Sequence, residues 1–254
     1  MNAETHRNEK LRLDEALVAR GLAPSRSRAR DAILRGTVSV DSRIVAKPGY
    51  AVAADAPIAI ADPAGAYVSR AALKLVHALD AFGLDPKGAN ALDIGASTGG
   101  FTQVLLERGA GRVTAIDVGH GQFDGALAAD PRVTSLEKLN ARDLTAVHLD
   151  GIVPDFLVSD VSFISMKLAL PPALDLAAPG ARGVFLVKPQ FEAGREAIGK
   201  GGILRDPGEA ERIASSLRDW LDTFPGWRAT GLVPSPIEGG DGNREYLLAG
   251  VKDR

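Results

Sequence analysis

The sequence predicts an α/β chain in which a doubly wound, mostly parallel sheet follows a small α+β module. Three observations carry that expectation. From about residue 67 onward, strand-like and helix-like segments alternate, the order that buries a parallel sheet between layers of helices. A glycine-rich turn, "LDIGASTGGFT" at residues 92–102, lies between the first such strand and the helix after it. Before residue 61 the pattern is different, with two short amphipathic helices and then short alternating strands. The charge differs too: the first sixty residues carry ten Lys/Arg against seven Asp/Glu, and the remainder twenty against twenty-five. The predicted division is a module over 1–60, a linker over 61–68 with Pro, Gly and small residues, and a second domain over 69–254.

In the first module, "LRLDEALVARG" sets Leu11, Leu13, Ala16, Leu17 and Val18 near one face of a short helix that Gly21 closes. Ser25 is placed to cap a second helix, whose apolar Ala29, Ala32, Ile33 and Leu34 leave the arginines outside before Gly36 ends it. Val38 and Val40, then Ile44 and Val45, then Ile58 and Ile60 read as short strands. Arg26, Arg28, Arg30 and Arg35 fall within ten residues, a density suited to a polyanion. The segments "RLDEAL", "SRSRARDAILRGTVSV" and "VAKPGYAV" resemble the small RNA-binding domain first described in ribosomal protein S-four, with Arg12, Asp14, Ser25, Arg26, Gly36, Lys47 and Pro48 in matching places. That family usually has Asn-Gly in the turn where this chain has Asp41-Ser42. The resemblance implies RNA binding through Arg12, Arg26, Arg28, Arg30 and Arg35, read by shape and phosphate.

In the second domain, "SRAALKLVHALDAFG" reads as a helix capped by Ser69, "ANALDIG" as a strand, "GGFTQVLLERG" as a helix and "RVTAIDVG" as a strand. "DFLVSDVSF" and "GVFLVKPQ" are further buried strands, separated by a helix that the Pro171-Pro172 pair kinks or opens. A long amphipathic helix, "DPGEAERIASSLRDWLDTF", precedes "WRATGLVPS" and "REYLLAGV", two consecutive strands that predict an antiparallel pair at the sheet edge.

Composition excludes several classes of function. The chain has no cysteine, so neither disulfides nor thiolate metal sites are available, and no metal is expected. The polar start "MNAETHRNEK" lacks an apolar leader run, and no uninterrupted apolar stretch approaches the ~20 residues that span a bilayer. A cytoplasmic protein without a membrane role is expected.

Three chemistries use a turn such as 95–100. A dinucleotide site needs G-x-G-x-x-G, but the glycines fall at 95, 99 and 100. A serine hydrolase needs G-x-S-x-G, which Gly95-Ala96-Ser97-Thr98-Gly99 matches. Its histidine should come late in the chain, yet the four histidines are His6, His77, His120 and His148. The third chemistry is S-adenosylmethionine binding, in which the loop backbone packs against the methionine part and an acid ending the next strand holds the ribose. Asp93 ends the first strand, Gly95, Ser97, Gly99 and Gly100 form the turn, Phe101 follows it, and Asp117 ends "TAID" 24 residues after Asp93. An acid at that distance also suits NAD, so the displaced glycine is what separates the two.

Lys74, Asp160, Lys188 and Glu245 lie near predicted element ends, and Lys188 directly follows "VFLV", where open α/β sheets place ligands. The segments "YVSRAALKL", "LDIGASTGGFTQVLL", "AIDVGHGQ", "NARDL", "VSDVSFIS", "LVKPQFE", "GKGGILRD" and "GNREYLL" resemble the FtsJ-type ribose methyltransferases. The whole chain is similar to the TlyA family, which fuses the small RNA-binding domain to that catalytic domain. The resemblance implies a doubly wound Rossmann-like methyltransferase sheet and puts the family's Lys-Asp-Lys-Glu tetrad on Lys74, Asp160, Lys188 and Glu245. It also brings Asn140 or Asp143 to the adenine of S-adenosylmethionine. The implied activity is 2′-O-methylation of ribose, of cytidine, in ribosomal RNA or a ribosomal subunit. The family linker usually carries Arg and Trp where this chain has Gly65 and Tyr67.

The tetrad has a physical logic of its own. A ribose 2′-hydroxyl is a poor nucleophile at neutral pH, so Lys188 is expected either to accept its proton or to stabilise the alkoxide as a cation. Asp160 would orient Lys188, while Lys74 and Glu245 position the ribose. Residues 190–206 form a long glycine-rich connection expected to fold over the target nucleotide. The competing readings are an assembly factor that binds ribosomes without turnover and the membrane-damaging haemolysin whose name the family has carried.

Overall fold

The computed structural model describes residues 10–239 and 242–253. The polar opening stretch, His6 included, lies outside them. The chain divides after Gly65 into two units.

The first unit runs β1 (Leu11–Arg12), α1 (Leu13–Ala19), α2 (Arg26–Leu34), β2 (Val38–Val40), β3 (Arg43–Ile44), β4 (Ala51–Val52) and β5 (Ile58–Ile60). β1 pairs with β4, and β3-β2-β5 form a three-stranded antiparallel sheet. The first helix starts later than its apolar pattern predicts. Leu11 and Arg12 are extended against Val52 and Ala51, and Leu11 is 40% exposed rather than in the core. The segment from Pro48 to Tyr50 explains the shift, because its carbonyls accept from the amides of Leu13 and Asp14, which a helix start leaves unpaired. Ser25 caps α2 as expected, its Oγ accepting from Arg28 N. Leu34, read as part of the apolar face of α2, is exposed instead, as is Ile44 in β3, and the core closes on Leu13, Leu17, Ile33, Val38 and Val52. Asp41 and Ser42 take φ of 48° and 65°, so the hairpin turn has both central residues left-handed without Asn-Gly. Within the predicted linker, Asp62 and Ala64 belong to this unit: Arg35 grips Asp62, Arg28 donates to the Ala64 carbonyl, and Ala64 is fully buried.

The second unit continues with α3 (Ala72–Phe82), β6 (Asn90–Ile94), α4 (Gly100–Glu107), β7 (Arg112–Asp117), α5 (Gly125–Ala128), β8 (Val133–Glu137), β9 (Phe156–Ser159), α6 (Met166–Ala169), α7 (Pro171–Leu176), β10 (Arg182–Val187), α8 (Pro189–Glu192), α9 (Glu209–Thr223), β11 (Trp227–Pro234) and β12 (Tyr246–Lys252). The sheet order is β11-β12-β10-β9-β6-β7-β8, parallel from β10 through β8, with β12 antiparallel to both its neighbours. Period-two alternation splits the strands between two cores. Leu92, Ile94, Phe185 and Val187 face α7 and α9, whereas Ala91, Val184 and Leu186 face α3 and α4. Two details differ from the sequence reading. Ser69 precedes α3 by a turn, its Oγ taking the Ala71 amide, and the helix itself begins at Ala72. The Pro171-Pro172 pair starts a separate helix, α7, since proline fits the first turn, where no amide is needed.

Chain order runs outward from β6 to β7 and β8, then returns to β9 on the other side of β6. The direction of winding therefore reverses between β6 and β9, and at such a switch point a crevice opens beyond the carboxyl ends of the strands.

Candidate active site

Strand register delivers the predicted residues to that crevice. Ile94 and Phe185 both pair with Ser159, Ile94 with Ile116, and Val187 with Tyr246. Gly95, Asp117, Asp160 and Lys188 therefore leave the sheet at one end, and Glu245 enters β12 at the same end.

The turn after β6 is held by β7. The amides of Gly95 and Ala96 donate to the Ile116 carbonyl, and Ser97 N donates to Asp117 Oδ2 at 2.8 Å. Gly95 and Gly99 have φ of 83° and 95°, and Ser97 has 49°. Close approach demands glycine as much as φ does. A Cβ on Gly95 would lie 3.1 Å from the Asp160 backbone, and one on Gly100 2.9 Å from Ser69 Cβ. A cavity of about 130 Å³ opens against this turn, bordered by Gly95, Ser97, Gly100, Phe101, Asp160 and Lys188. Asp117 accepts one amide on each oxygen, from Ser97 and from Gly119, and a carboxylate retains lone pairs beyond two such bonds.

Asp93 stands elsewhere than a direct cofactor contact requires. It is fully buried beneath the turn and absent from the cavity lining. Its Oδ2 accepts from Thr102 Oγ1 at 2.7 Å, which fixes the start of α4, while Oδ1 has no partner among the described residues. Burial pushes this carboxyl up to about 7, the nearby Asp160 charge adding to the effect and the Thr102 bond opposing it. Asn140 is half-buried, and its Oδ1 caps a short 3₁₀ turn by accepting from Arg142 N, whereas Asp143 is exposed.

The four tetrad residues form two ion pairs. Lys188 Nζ lies 2.5 Å from Asp160 Oδ1, donates to Ser162 Oγ at 2.7 Å and lies 3.4 Å from the Asp160 carbonyl. Lys74 Nζ meets Glu245 Oε2 at 2.5 Å, with both side chains buried. Lys74 occupies the apolar face of α3 with Ala72, Leu75, Ala78 and Leu79, a place tolerable for an ammonium only when it is paired. Lys188 and Asp160 border the cavity, and Lys74 and Glu245 are absent from its lining.

Two residues here escaped the sequence reading. Ser162 is the hydroxyl acceptor for Lys188. Phe163 is 90% exposed, adopts φ 63°, and touches Phe191 at a ring-centroid distance of 5.0 Å. A bulky residue in the left-handed region is held there against its own preference, and such strain gathers at functional sites. The available signal was a lone aromatic three residues past the strand-end acid, in "SDVSF".

The connection 190–206 is pinned rather than free. Buried Asn243 accepts from Leu204 N and donates to the Gly202 carbonyl, and Leu204 is buried with the core. The hydrolase reading ends here too: His77 and His120 are exposed, and the His148 ring accepts from the Thr145 amide.

In the first unit the five arginines divide. Arg35 is committed internally, 15% exposed and bidentate to Asp62 at 2.6 and 2.8 Å, so its guanidinium is not displayed for RNA as the sequence reading expected. Arg12 and Arg26 converge on buried Asp14 while remaining about half exposed. Desolvation alone would raise the Asp14 carboxyl, but hydrogen bonds from Arg12 and Arg26 outweigh it and leave the group below its ordinary range. Arg28 is half-buried and Arg30 exposed, and Arg43 and Lys47 add exposed cations.

A doubly wound sheet with this turn and these strand-end residues has the fold and site of a methyltransferase. The FtsJ-like methyltransferase model matches residues 67–252, and the S4 domain model matches residues 11–58. The chain belongs to the FtsJ-like methyltransferases, within the TlyA family, and it carries an S4 domain as well. It is 45% identical over 238 residues to the 16S/23S rRNA (cytidine-2′-O)-methyltransferase TlyA of Mycobacterium tuberculosis, covering 93% of this chain and 88% of that protein. It is 40% identical to Hemolysin A of Brachyspira hyodysenteriae, covering 93% and 98%. Among solved structures, one named "Putative hemolysin from Streptococcus thermophilus" superposes with a TM-score of 0.74 at 38% identity, covering 98% of this chain and 90% of that one. No helix among the described residues is long and apolar enough to cross a membrane.

Proposed function

We propose that this protein methylates a ribose 2′-hydroxyl of cytidine in ribosomal RNA, with S-adenosylmethionine as donor and the first unit docking folded RNA. The observation that carries the reading is the Lys188–Asp160 pair at the rim of the cavity against the glycine turn. The donor set fits S-adenosylmethionine: turn amides and Ser97 border the cavity, and Asp117 has lone pairs left for ribose hydroxyls. When bound, the cofactor supplies an electrophilic methyl group.

Lys188 has the surroundings of an ammonium. Its Nζ stands in an ion pair with the Asp160 carboxylate and donates to the Ser162 hydroxyl, a setting built for a cation. Its role is therefore electrostatic: the cation meets the ribose oxygen as charge develops there, inside a site held ready beforehand. Asp160 and Ser162 hold Lys188 in place. The Lys74–Glu245 pair, buried behind the cavity lining, ties α3 to the entry of β12 and so fixes the elements that place the ribose. Phe163 gives the target base a ring on which to stack, as unstacked RNA bases require. The exposed Arg30, Arg43 and Lys47, with the outer faces of Arg12 and Arg26, contact phosphate.

The test is transfer of labelled methyl to ribosomal RNA from an unmodified strain, offered naked and as separate subunits. Wild-type label in an alkali-resistant dinucleotide supports the reading, together with loss of transfer in Lys188→Ala at a cofactor affinity within a few fold. Binding of cofactor and RNA without transfer would favour the assembly-factor reading.

A further inference from the structure

Two loops leave the sheet side by side, 160–165 after β9 and 188–192 with α8 after β10, and they are fastened to each other at both ends. At the sheet end the fastening is Lys188, bound to Asp160 and Ser162. At the far end it is Glu192. Its Oε2 accepts from Ser165 Oγ at 2.6 Å, and its Oε1 accepts from Met166 N at 2.7 Å. Met166 is the first residue of α6, so its amide has no partner within the helix, and Glu192 supplies one from 26 residues away. Each carboxylate oxygen thus takes one donor of the opposite loop, a two-point grip that also fixes rotation about the Glu192 side chain. Between the two fastenings lie Phe163 and Phe191 in ring contact, and Phe163 holds its unfavourable left-handed backbone there.

A residue in that conformation persists only where its surroundings over-determine it. Phe163 is exposed, so packing over its own ring cannot supply the constraint. The restraint comes from the ends of the loop. Ser162 is fixed through Lys188 on one side of Phe163, and Ser165 and Met166 are fixed through Glu192 on the other.

We propose that Glu192 is a positioning residue for RNA: by clasping Ser165 and Met166 it holds Phe163 at the site mouth beside Lys188 and so sets engagement of the target nucleotide, not of the cofactor. The inference rests on the reading of this site as an RNA ribose methyltransferase with Phe163 as its base platform. Glu192 does not border the cavity.

The experiment uses the full-length protein and separates KM from kcat. Glu192→Ala is expected to raise KM for the preferred ribosomal RNA particle about tenfold, with S-adenosylmethionine affinity within twofold of wild type. Glu192→Gln, which keeps an acceptor for one of the two donors, is expected to recover most of the loss. Because Glu192 acts through Phe163, Phe163→Ala combined with Glu192→Ala should be no worse than Phe163→Ala alone. Amide exchange at Met166 provides a readout that does not depend on turnover and should accelerate in Glu192→Ala. Wild-type transfer with an unchanged KM in Glu192→Ala, fully additive losses in the double variant, or unchanged Met166 exchange would each overturn the inference alone. No transfer by the wild type on any particle would overturn the underlying reading, and this inference with it. If Glu192→Ala does not fold, Ser165→Ala, which removes one of the two donors that Glu192 holds, carries the same KM comparison, and an unchanged KM there overturns the inference.

Discussion

Lys74 and Glu245 stand 171 residues apart in sequence and meet at 2.5 Å, both buried, across the junction of α3 with the entry to β12. Desolvating two charges is costly, and removing only one leaves the other stranded, typically at a cost of about 3–5 kcal/mol. Lys74→Met and Glu245→Gln are each expected to destabilise the second unit by about 3 kcal/mol in urea unfolding. Lys74→Met combined with Glu245→Leu should recover more than half of that while remaining inactive. A double variant that loses the sum of the two single losses would show that the pair contributes nothing as a pair.

The Asp93 carboxyl, pushed up to about 7 by burial, makes stability depend on pH with a defined sign. Between the ordinary carboxylate range and about pH 7, the unfolded chain releases this proton and the native state keeps it. Stability from this group is therefore fully present at low pH and declines as pH rises through that window. Asp93→Asn keeps an acceptor for Thr102 and removes the titration. Its stability relative to wild type should rise from pH 4 to pH 7 and level off above, as read from urea midpoints; a difference independent of pH would contradict the assignment.

Phe163 separates stability from function. Asn tolerates the left-handed region better than Phe, and the ring is exposed, so Phe163→Asn is expected to leave stability within about 1 kcal/mol of wild type. Loss of base stacking, worth about 1–3 kcal/mol, should weaken RNA engagement by roughly ten- to a hundredfold, measured as KM for the RNA substrate.

Two arginines of the first unit should part company in the same pair of assays. Arg35→Ala removes a bidentate grip on Asp62 and is expected to destabilise this unit by about 2 kcal/mol. Arg30→Ala should leave melting unchanged, weaken RNA binding and lower the slope of log affinity against log salt by about one. The reverse pattern would exchange their roles.

The local features of the fold were legible because their causes are local. Short apolar runs alternating with helical segments marked β6, β7, β9 and β10, and the two consecutive final segments marked the antiparallel edge pair. β8 was missed. It is the sheet's outer strand, and "VTSLE" carries no run of buried apolar side chains. Leu11 and Leu34 were assigned to the core because helical periodicity identifies a face and not where that face ends. Short strands such as β1 and β4 are set by pairing alone, which a two-residue segment cannot announce.

For this protein the sequence by itself determined which residues arrive at the crevice: the turn at 95–100, the acids and lysine at the ends of β7, β9 and β10, and the glutamate before β12. Each sits at the end of an element whose period can be read within a few residues, and the glycines are demanded by backbone angle and close approach. Only the tertiary structure decided which charges pair. Lys74 joins Glu245, Glu192 reaches Ser165 and Met166, Arg35 turns inward to Asp62, and Asp93 lies under the site instead of lining it. Those outcomes depend on distances between segments far apart in the chain and on how much water each group loses. Neither quantity has a local signature in sequence.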